Sequence, residues 1–482
     1  MNRKFVFYLF GRIGQTVGAL LLLPMFVALI YGESIPFVSF LGTSLGAIGL
    51  GAIITRLCKT SNNVIYAKEG FAIVALAWLG TSAFGALPFW ISGEIPSYID
   101  AFFETVSGFT TTGASILTNV EALSKSMLFW RSFTHWIGGM GVLVFVMAIA
   151  SNITDRSIHI MRAEMPGHVV GKLVPRAKDT AKILYLIYIV MTVAEIILLI
   201  AVGMPVFDSI LHGFGTAGTG GFGIKADSIG GYSSYCQIVI AVFMLLFGVN
   251  FNIYYLLIIG KLRTLFKSTE LWAYLGIAAA SVAVIANNIY SIYENAADSL
   301  RHSLFQVSSI MTTTGFSTAD FDLWPGLSKG ILIVLMCIGA CSGSTAGGIK
   351  ISRIVILFKL IAREIKRLIH PRSVSSVKFE DKPLDDQTLN SVATYIAIYL
   401  FCLVTVFLIV CREPFGFETN FSAVIATFNN IGPGFGRVGA TGSFAAYSDL
   451  SKLVFSGAML LGRLEIFPLI IALSPSTWKK TR

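Results

Sequence analysis

MTTTGFST, Met311 to Thr318, sets three consecutive threonines and a glycine between two long apolar runs. A continuous apolar helix would be easier to bury in lipid. Backbone that leaves the helix exposes amides and carbonyls that cost several kcal/mol each unless protein or water receives them. The segment that carries the motif, SLRHSLFQVSSIMTTTGFST from Ser299, has three counterparts: IDAFFETVSGFTTTGAS from Ile99, DSILHGFGTAGTGGFG from Asp208 and ETNFSAVIATFNNIGPGFG from Glu418. Each offers only about 10 to 12 residues before its glycine, too few to span a hydrocarbon core about 30 Å thick. The four segments are therefore predicted to be re-entrant, and such backbone is tolerated at membrane depth only against protein or a water-filled path.

The surrounding chain fits a membrane setting. It has 482 residues, 55% of them hydrophobic and 13% charged, with a mean hydropathy of +0.75. Apolar windows recur from end to end, so the class is an all-α integral membrane protein with no separate soluble domain. Two runs, about Gly11 to Tyr31 and Ile35 to Leu57, joined by a short GES turn, form a leading hairpin. The basic start of the chain is read as part of a retained helix, since no convincing cleavage site follows.

Helix, short segment and return helix then repeat four times at a period of about 100 residues. The outer helices are predicted at about Gly70 to Ser92, Thr180 to Val202, Glu270 to Tyr290 and Leu389 to Cys411. The return helices are predicted at about Met127 to Ala150, Ile238 to Ile259, Leu327 to Leu360 and Leu453 to Leu473. This makes ten transmembrane helices, divided into a hairpin at 1–68 and repeats at 69–156, 178–265, 268–368 and 384–482.

The formal charge of +10 speaks about topology rather than nucleic acid. With a cytoplasmic N-terminus, the inner loops carry clusters such as Arg156 to Lys178 and Arg363 to Lys382, and the tail ends in Lys479, Lys480 and Arg482. The opposite side is poorer in Lys and Arg, which places both termini in the cytoplasm and the short segments on the outer face. Asp100, Glu104, Asp208, Glu294, Asp298, Asp320, Asp322, Glu413 and Glu418 would then form an acidic collar that concentrates cations.

The four tips align as TTTG at Thr110 to Gly113, AGTG at Ala217 to Gly220, TTTG at Thr312 to Gly315 and NNIG at Asn429 to Gly432. A glycine permits close approach to an axis, and consecutive inward carbonyls replace the water shell of a cation. The expected ion-binding residues are Thr111, Thr112, Gly113, Thr219, Gly220, Gly221, Thr313, Thr314, Gly315, Asn430, Ile431 and Gly432. The short helices would aim their negative dipole ends at the ion.

A second interruption, IGACSGSTAGGIKIS from Ile338 to Ser352, falls inside the third return helix. Its glycines and hydroxyl residues should break the helix over a cavity. The residues singled out at this interruption are Gly339, Gly343, Ser344, Thr345, Gly347, Gly348 and Lys350, together with Arg463 of the last helix. Arg463 and Glu465, read as lying within the last helix, are functional candidates or a structural ion-pair network.

Several other signals carry less. Six scattered cysteines predict neither a disulfide framework nor zinc. GTGGFG, Gly218 to Gly223, fits a dinucleotide fingerprint in letters only, with no preceding strand, and GSTAGGIK from Gly343 to Lys350 is a helix break rather than a phosphate loop. Glu195, Asn250 and Asn252 are expected to make interhelical hydrogen bonds. His135 and His212 are expected to pack rather than ligate metal. No nucleophile and base pair suggests an enzyme.

The hairpin, the four repeats and the motifs TTTGAS, TGGFG, TTTGFST and NNIGPGFG together resemble the Trk/Ktr/HKT superfamily of potassium transporters, in its bacterial TrkH-type branch. The resemblance implies a pseudo-fourfold pore in one polypeptide, with filter glycines at Gly113, Gly220, Gly315 and Gly432 and a preference for potassium and rubidium. It also implies an intramembrane gating loop at 338–352, with the charge of Arg463 near the pore. Potassium is then the transported substrate rather than a resident cofactor. The expected partners are a second copy of the chain and a ring of cytosolic nucleotide-binding (RCK/TrkA-type) regulatory subunits, in a bacterial cytoplasmic membrane, with no nucleotide site in this chain. A symporter coupling potassium to protons or sodium is the alternative class.

Overall fold

The computed structural model describes residues 3–59, 67–141, 177–372 and 376–478. Its leading hairpin pairs Arg3–Tyr31 with Ser34–Leu57. Small residues let the two backbones touch, as in close transmembrane packing. The Ser44 hydroxyl donates to the Gly18 carbonyl at 2.6 Å, and a side chain on Gly11 would meet the Gly51 carbonyl at 2.9 Å. The outward faces, with Leu29, Ile30, Phe401 and Leu408, are exposed and apolar, as a lipid-facing surface requires.

The outer helices are Ala67–Ser92, Ala177–Ala201, Thr269–Asn288 and Asp386–Val410. Together with the hairpin they supply six described helices long and apolar enough to cross a membrane, or eight if each of two bent pairs counts as one span. The first return helix, Lys125–Gly139, ends in a turn through Met140 and Gly141, the latter at φ 84°, short of the continuous helix expected to residue 150; residues 142–176, with the basic cluster from Arg156 to Arg176, lie outside those described.

The expected return helices at 238–259 and 453–473 are not continuous. Ser234–Phe247 and Phe251–Ile258 meet at 89°, and Asp449–Arg463 and Phe467–Leu473 at 119°. At the first break Asn250 acts as an N-cap, accepting from the Asn252 amide at 3.0 Å, rather than bonding another helix through its side chain. At the second, Glu465 and Ile466 adopt φ of 51° and 69°, and Pro468 sits in the first turn of the next helix. Glu465 thus lies in a kink, outside any helix. The third return consists of Gly326–Ile338, an irregular stretch, and Ile351–Ile369. A two-residue hairpin, Lys378–Phe379 against Lys382–Pro383, lies on the Ile351–Ile369 side, where Val377 and Phe379 pack with Ile356, Leu389 and Val392.

Glu465 reaches back to Ile351–Ile369 and forms a forked pair with Arg353, one arm at 3.1 Å. The pair is largely buried, and Arg353 lies 4.0 Å over the Tyr395 ring. Removing one partner of such a pair leaves an uncompensated charge, worth about 3–5 kcal/mol. Glu465→Ala is therefore expected to lower the thermal midpoint in detergent sharply, and Arg353→Met combined with Glu465→Leu to recover most of it. An unchanged midpoint for the single variant would remove this pair from the stabilising contacts.

Candidate functional site: four converging tips and the loop beneath them

The four short helices are Tyr98–Phe109, Val206–Gly218, Ala296–Met311 and Phe417–Phe428. A 12-residue helix is about 18 Å long, so none spans a bilayer. Each carries an acid in its first turn, Asp100, Asp208, Asp298 and Glu418, which favours the positive end of the dipole. Beyond each C-terminus the chain turns through a left-handed residue: Thr111, Thr219, Thr313 and Asn430 have φ of 55°, 55°, 56° and 56°. Two residues later comes a glycine, also at positive φ: Gly113 (79°), Gly221 (73°), Gly315 (87°) and Gly432 (101°).

This common pattern corrects the register of the second tip. Its counterpart of Gly113 is Gly221, and Gly220 stands where the first tip has Thr112. The expected alignment ended on Gly220, the first of the paired glycines Gly220 and Gly221, whereas the turn is set by the left-handed residue at Thr219.

The tips form a closed ring. A Cβ on Gly113 would strike the Gly220 carbonyl, one on Gly221 the Thr314 carbonyl, one on Gly315 the Ile431 carbonyl, and one on Gly432 the Thr112 carbonyl. Each glycine thus makes room for a neighbour's main-chain oxygen, in the order one, two, three, four and back to one. The hydroxyls of Thr110 and Thr312 turn back toward their own helices. Thr110 donates to Val106 and meets Thr112 at 2.8 Å, while Thr312 donates to Ser308 and meets Thr314 at 2.8 Å. Across the last seam, the Asn430 amide donates to the Thr112 hydroxyl at 2.9 Å. The four glycines all line one cavity of about 100 Å³.

The irregular stretch of the third return helix lies directly under this ring. Gly339, Gly343, Gly348 and Lys350 have positive φ. The Gly347 amide donates to the Thr313 hydroxyl at 2.7 Å, and a Cβ on Gly347 would overlap the Asn429 carbonyl. The loop is anchored at several further points. Gly343 O accepts from Phe251 N at 3.1 Å, Ser342 N donates to Glu270 at 2.6 Å, and Ser344 turns its hydroxyl onto Cys341 O. Lys350 Nζ donates to Ala346 O at 2.6 Å. Arg463, the last residue of its helix, donates to Thr345 O at 2.7 Å and to Gly138 and Gly139 O at 2.5 and 2.7 Å. The alternative reading, a structural ion pair between Arg463 and Glu465, does not match these contacts: Arg463 holds main-chain carbonyls and Glu465 pairs with Arg353.

The acidic collar is largely committed to the fold. Glu104 is buried against Arg131, Asp100 pairs with Lys452 at 2.6 Å, and Asp298 pairs with Arg301. Asp322 and Glu418 share Lys329, Glu413 caps Ser448 and Ser451, and Asp208 accepts from Tyr232. Glu195 is buried beside Thr216 of the second short helix. His135 does more than pack. Its Nδ1 meets Gly108 O at 2.8 Å, and its Nε2 accepts from Phe222 N at 3.3 Å, one residue beyond Gly221. The spacing of Arg131 and His135, one helical turn apart on a return helix, was the available signal. Among the described residues, no group of three or more His, Cys, Asp or Glu is placed to hold a metal.

Known proteins share this architecture. The TrkH family model, described as a cation transport protein, matches residues 39–273 and 261–480. The Trk system potassium uptake protein TrkH of Salmonella typhimurium is 36% identical over 467 residues, covering 95% of this chain and 96% of its own length. The Trk system potassium uptake protein TrkG of Escherichia coli is 37% identical over 464 residues, covering 95% and 94%. The crystal structure of the potassium transporter TrkH from Vibrio parahaemolyticus matches with a TM-score of 0.89 at 33% identity, covering 99% of this chain and 100% of that one.

The bond from Gly347 N to Thr313 is the direct tie between ring and loop. Thr313→Val keeps the shape and removes the acceptor, leaving a buried amide unpaired at about 1–3 kcal/mol. Amide exchange in 339–350 is expected to accelerate while that of 110–113 stays unchanged. Equal protection in the variant would show that the tie does not hold the loop.

Proposed function

The chain belongs to the TrkH family of cation transport proteins, and from that premise we propose that it takes up potassium through a single-chain pore with a filter of main-chain carbonyls. It is a multi-pass, all-helical membrane protein and a transporter rather than an enzyme. The observation that carries the proposal is the cyclic seating of Gly113, Gly221, Gly315 and Gly432 against the carbonyls of their neighbours. Such a ring offers oxygens to a dehydrated monovalent cation, and the C-terminal dipoles of the four short helices favour positive charge there. Gly220 contributes a carbonyl to the ring, and Thr111, Thr112, Thr219, Thr313, Thr314, Asn430 and Ile431 supply the rest of the lining.

The loop at 339–350 is the gate. Lys350 and Arg463 hold the carbonyls of Ala346 and Thr345, so the protein's own cations stand below the filter where a permeating ion would pass. Opening requires the loop to leave Thr313 and Arg463. The membrane potential drives entry, at about 2.3 kcal/mol per charge per 100 mV.

The setting is a bacterial cytoplasmic membrane with both termini inside. The protein assembles as a homodimer on a cytosolic nucleotide-binding regulatory ring, in keeping with the relatives named as parts of a Trk system. Its docking surface includes the basic face of Ile351–Ile369, with Lys359, Arg363, Lys366 and Arg367.

Rubidium uptake into proteoliposomes tests the reading. Gly221→Ser and Gly315→Ser are each expected to lower the rubidium-to-sodium flux ratio about tenfold, equivalent to about 1.4 kcal/mol, because a side chain at these φ values displaces a ring carbonyl. An unchanged ratio in both would refute the filter. Arg463→Gln is expected to raise basal rubidium flux several-fold, and an unchanged basal rate would remove Arg463 from the gate. Accumulation of rubidium against its electrochemical gradient under an imposed sodium or proton gradient would replace the pore with a coupled symporter.

A further inference from the structure

The seam between the first and second tips contains a buried ion pair. Arg131 Nε lies 2.6 Å from Glu104 Oε1, with the two side chains 3% and 0% exposed. Glu104, on the first short helix, also accepts from the Ser115 hydroxyl at 2.9 Å and the Ile116 amide at 2.9 Å, so it grips the strand leaving the first tip. Arg131 extends the grip to the second tip. Its Nη1 donates to Gly223 O at 2.8 Å, and its guanidinium lies 3.5 Å from the Phe222 ring centroid. One turn further along the same helix, His135 ties Gly108 O to the Phe222 amide.

The second strand needs such a grip more than the others. Three of its residues from 220 to 223 are glycines, which leave the backbone the widest conformational freedom. The third strand is fastened by Ser309, whose hydroxyl donates to Phe316 O at 2.5 Å, and the fourth by Ser422, which accepts from Phe435 N at 2.8 Å. Counted from Thr111, Thr219, Thr313 and Asn430, the counterparts of Glu104 are His212, Gln306 and Ala423, none of them a carboxylate. A carboxylate at this position of the short helix is therefore particular to the first repeat.

We propose that Arg131 is a positioning residue for ion preference: braced by Glu104, it fixes the Gly221 to Gly223 strand and thereby the carbonyl of Gly220 in the filter ring. The inference rests on the filter reading given above. Arg131 touches no ion; it acts through Phe222 and Gly223. Its charge is balanced by Glu104, so the pair adds no net repulsion to the cavity that Arg131 lines.

Arg131→Lys is the sharpest probe. Lysine retains a charge for Glu104 but lacks the planar fork that reaches a second acceptor while lying on an aromatic ring. The full-length variant is expected to remain monodisperse with a thermal midpoint near wild type, while its rubidium-to-sodium flux ratio falls about tenfold. Should it fail to fold, Arg131→Met with Glu104→Gln removes the hold on Gly223 while keeping an acceptor for the Ser115 hydroxyl and Ile116 amide, and is expected to give the same fall. Gly221→Ser is measured alongside. A shifted ratio for Gly221→Ser with a wild-type ratio for the folded Arg131 variant overturns the positioning role and leaves the filter standing. Unshifted ratios in both overturn the filter and this inference together.

Discussion

A main-chain carbonyl at membrane depth, outside any helix, has to be received by something, and that requirement shapes this molecule. Four tips leave their helices at Thr111, Thr219, Thr313 and Asn430. Each presents oxygens that lipid cannot satisfy. They are accommodated around a common axis because each neighbour offers a glycine with no side chain in the way. The ring is consequently cooperative: no tip can be displaced without altering the seat of the next. Lipid-facing helices, the hairpin and the buried acids serve mainly to hold those tips in place.

Below the ring the same requirement is met differently. The loop at 339–350 also exposes carbonyls, and here Lys350 and Arg463 satisfy them. Arg463 reaches at once to the loop and to the end of the first return helix, at Gly138 and Gly139. The loop is therefore tied, directly or through Arg463, to all four quarters, and the second and fourth return helices are kinked beside it. Asn250 sits beside Gly343 at one kink, and Glu465 engages Arg353 at the other. These breaks in the second, third and fourth return helices belong to one arrangement beneath the ring of tips.

The helices and the tips were legible in the amino-acid sequence because apolar length and the Thr/Gly motifs are local signals. The third return helix announced its break through four glycines. The second and fourth carry short local signals, Asn250 as a cap and Pro468 at a helix start, that the apolar length around them masked in the reading of one continuous span. The one-residue register of the second tip was hidden by its paired glycines, which look alike in sequence and differ in φ. The acidic residues misled for a similar reason: Asp100 finds Lys452, and Glu104 finds Arg131, across separations no local pattern records. His135 read as a packing residue because its two acceptor and donor partners come from different segments.

The seam between the last tip and the first joins residues 318 positions apart, Asn430 and Thr112. During synthesis the first three tips enter the bilayer while this contact has no partner to form with. Thr112 and Gly113 must wait, with their carbonyl unmatched, until nearly the whole polypeptide has left the ribosome. Closure of the ring thus waits on the last repeat, and a chain truncated ahead of Gly432 would leave the Thr112 carbonyl without its seat.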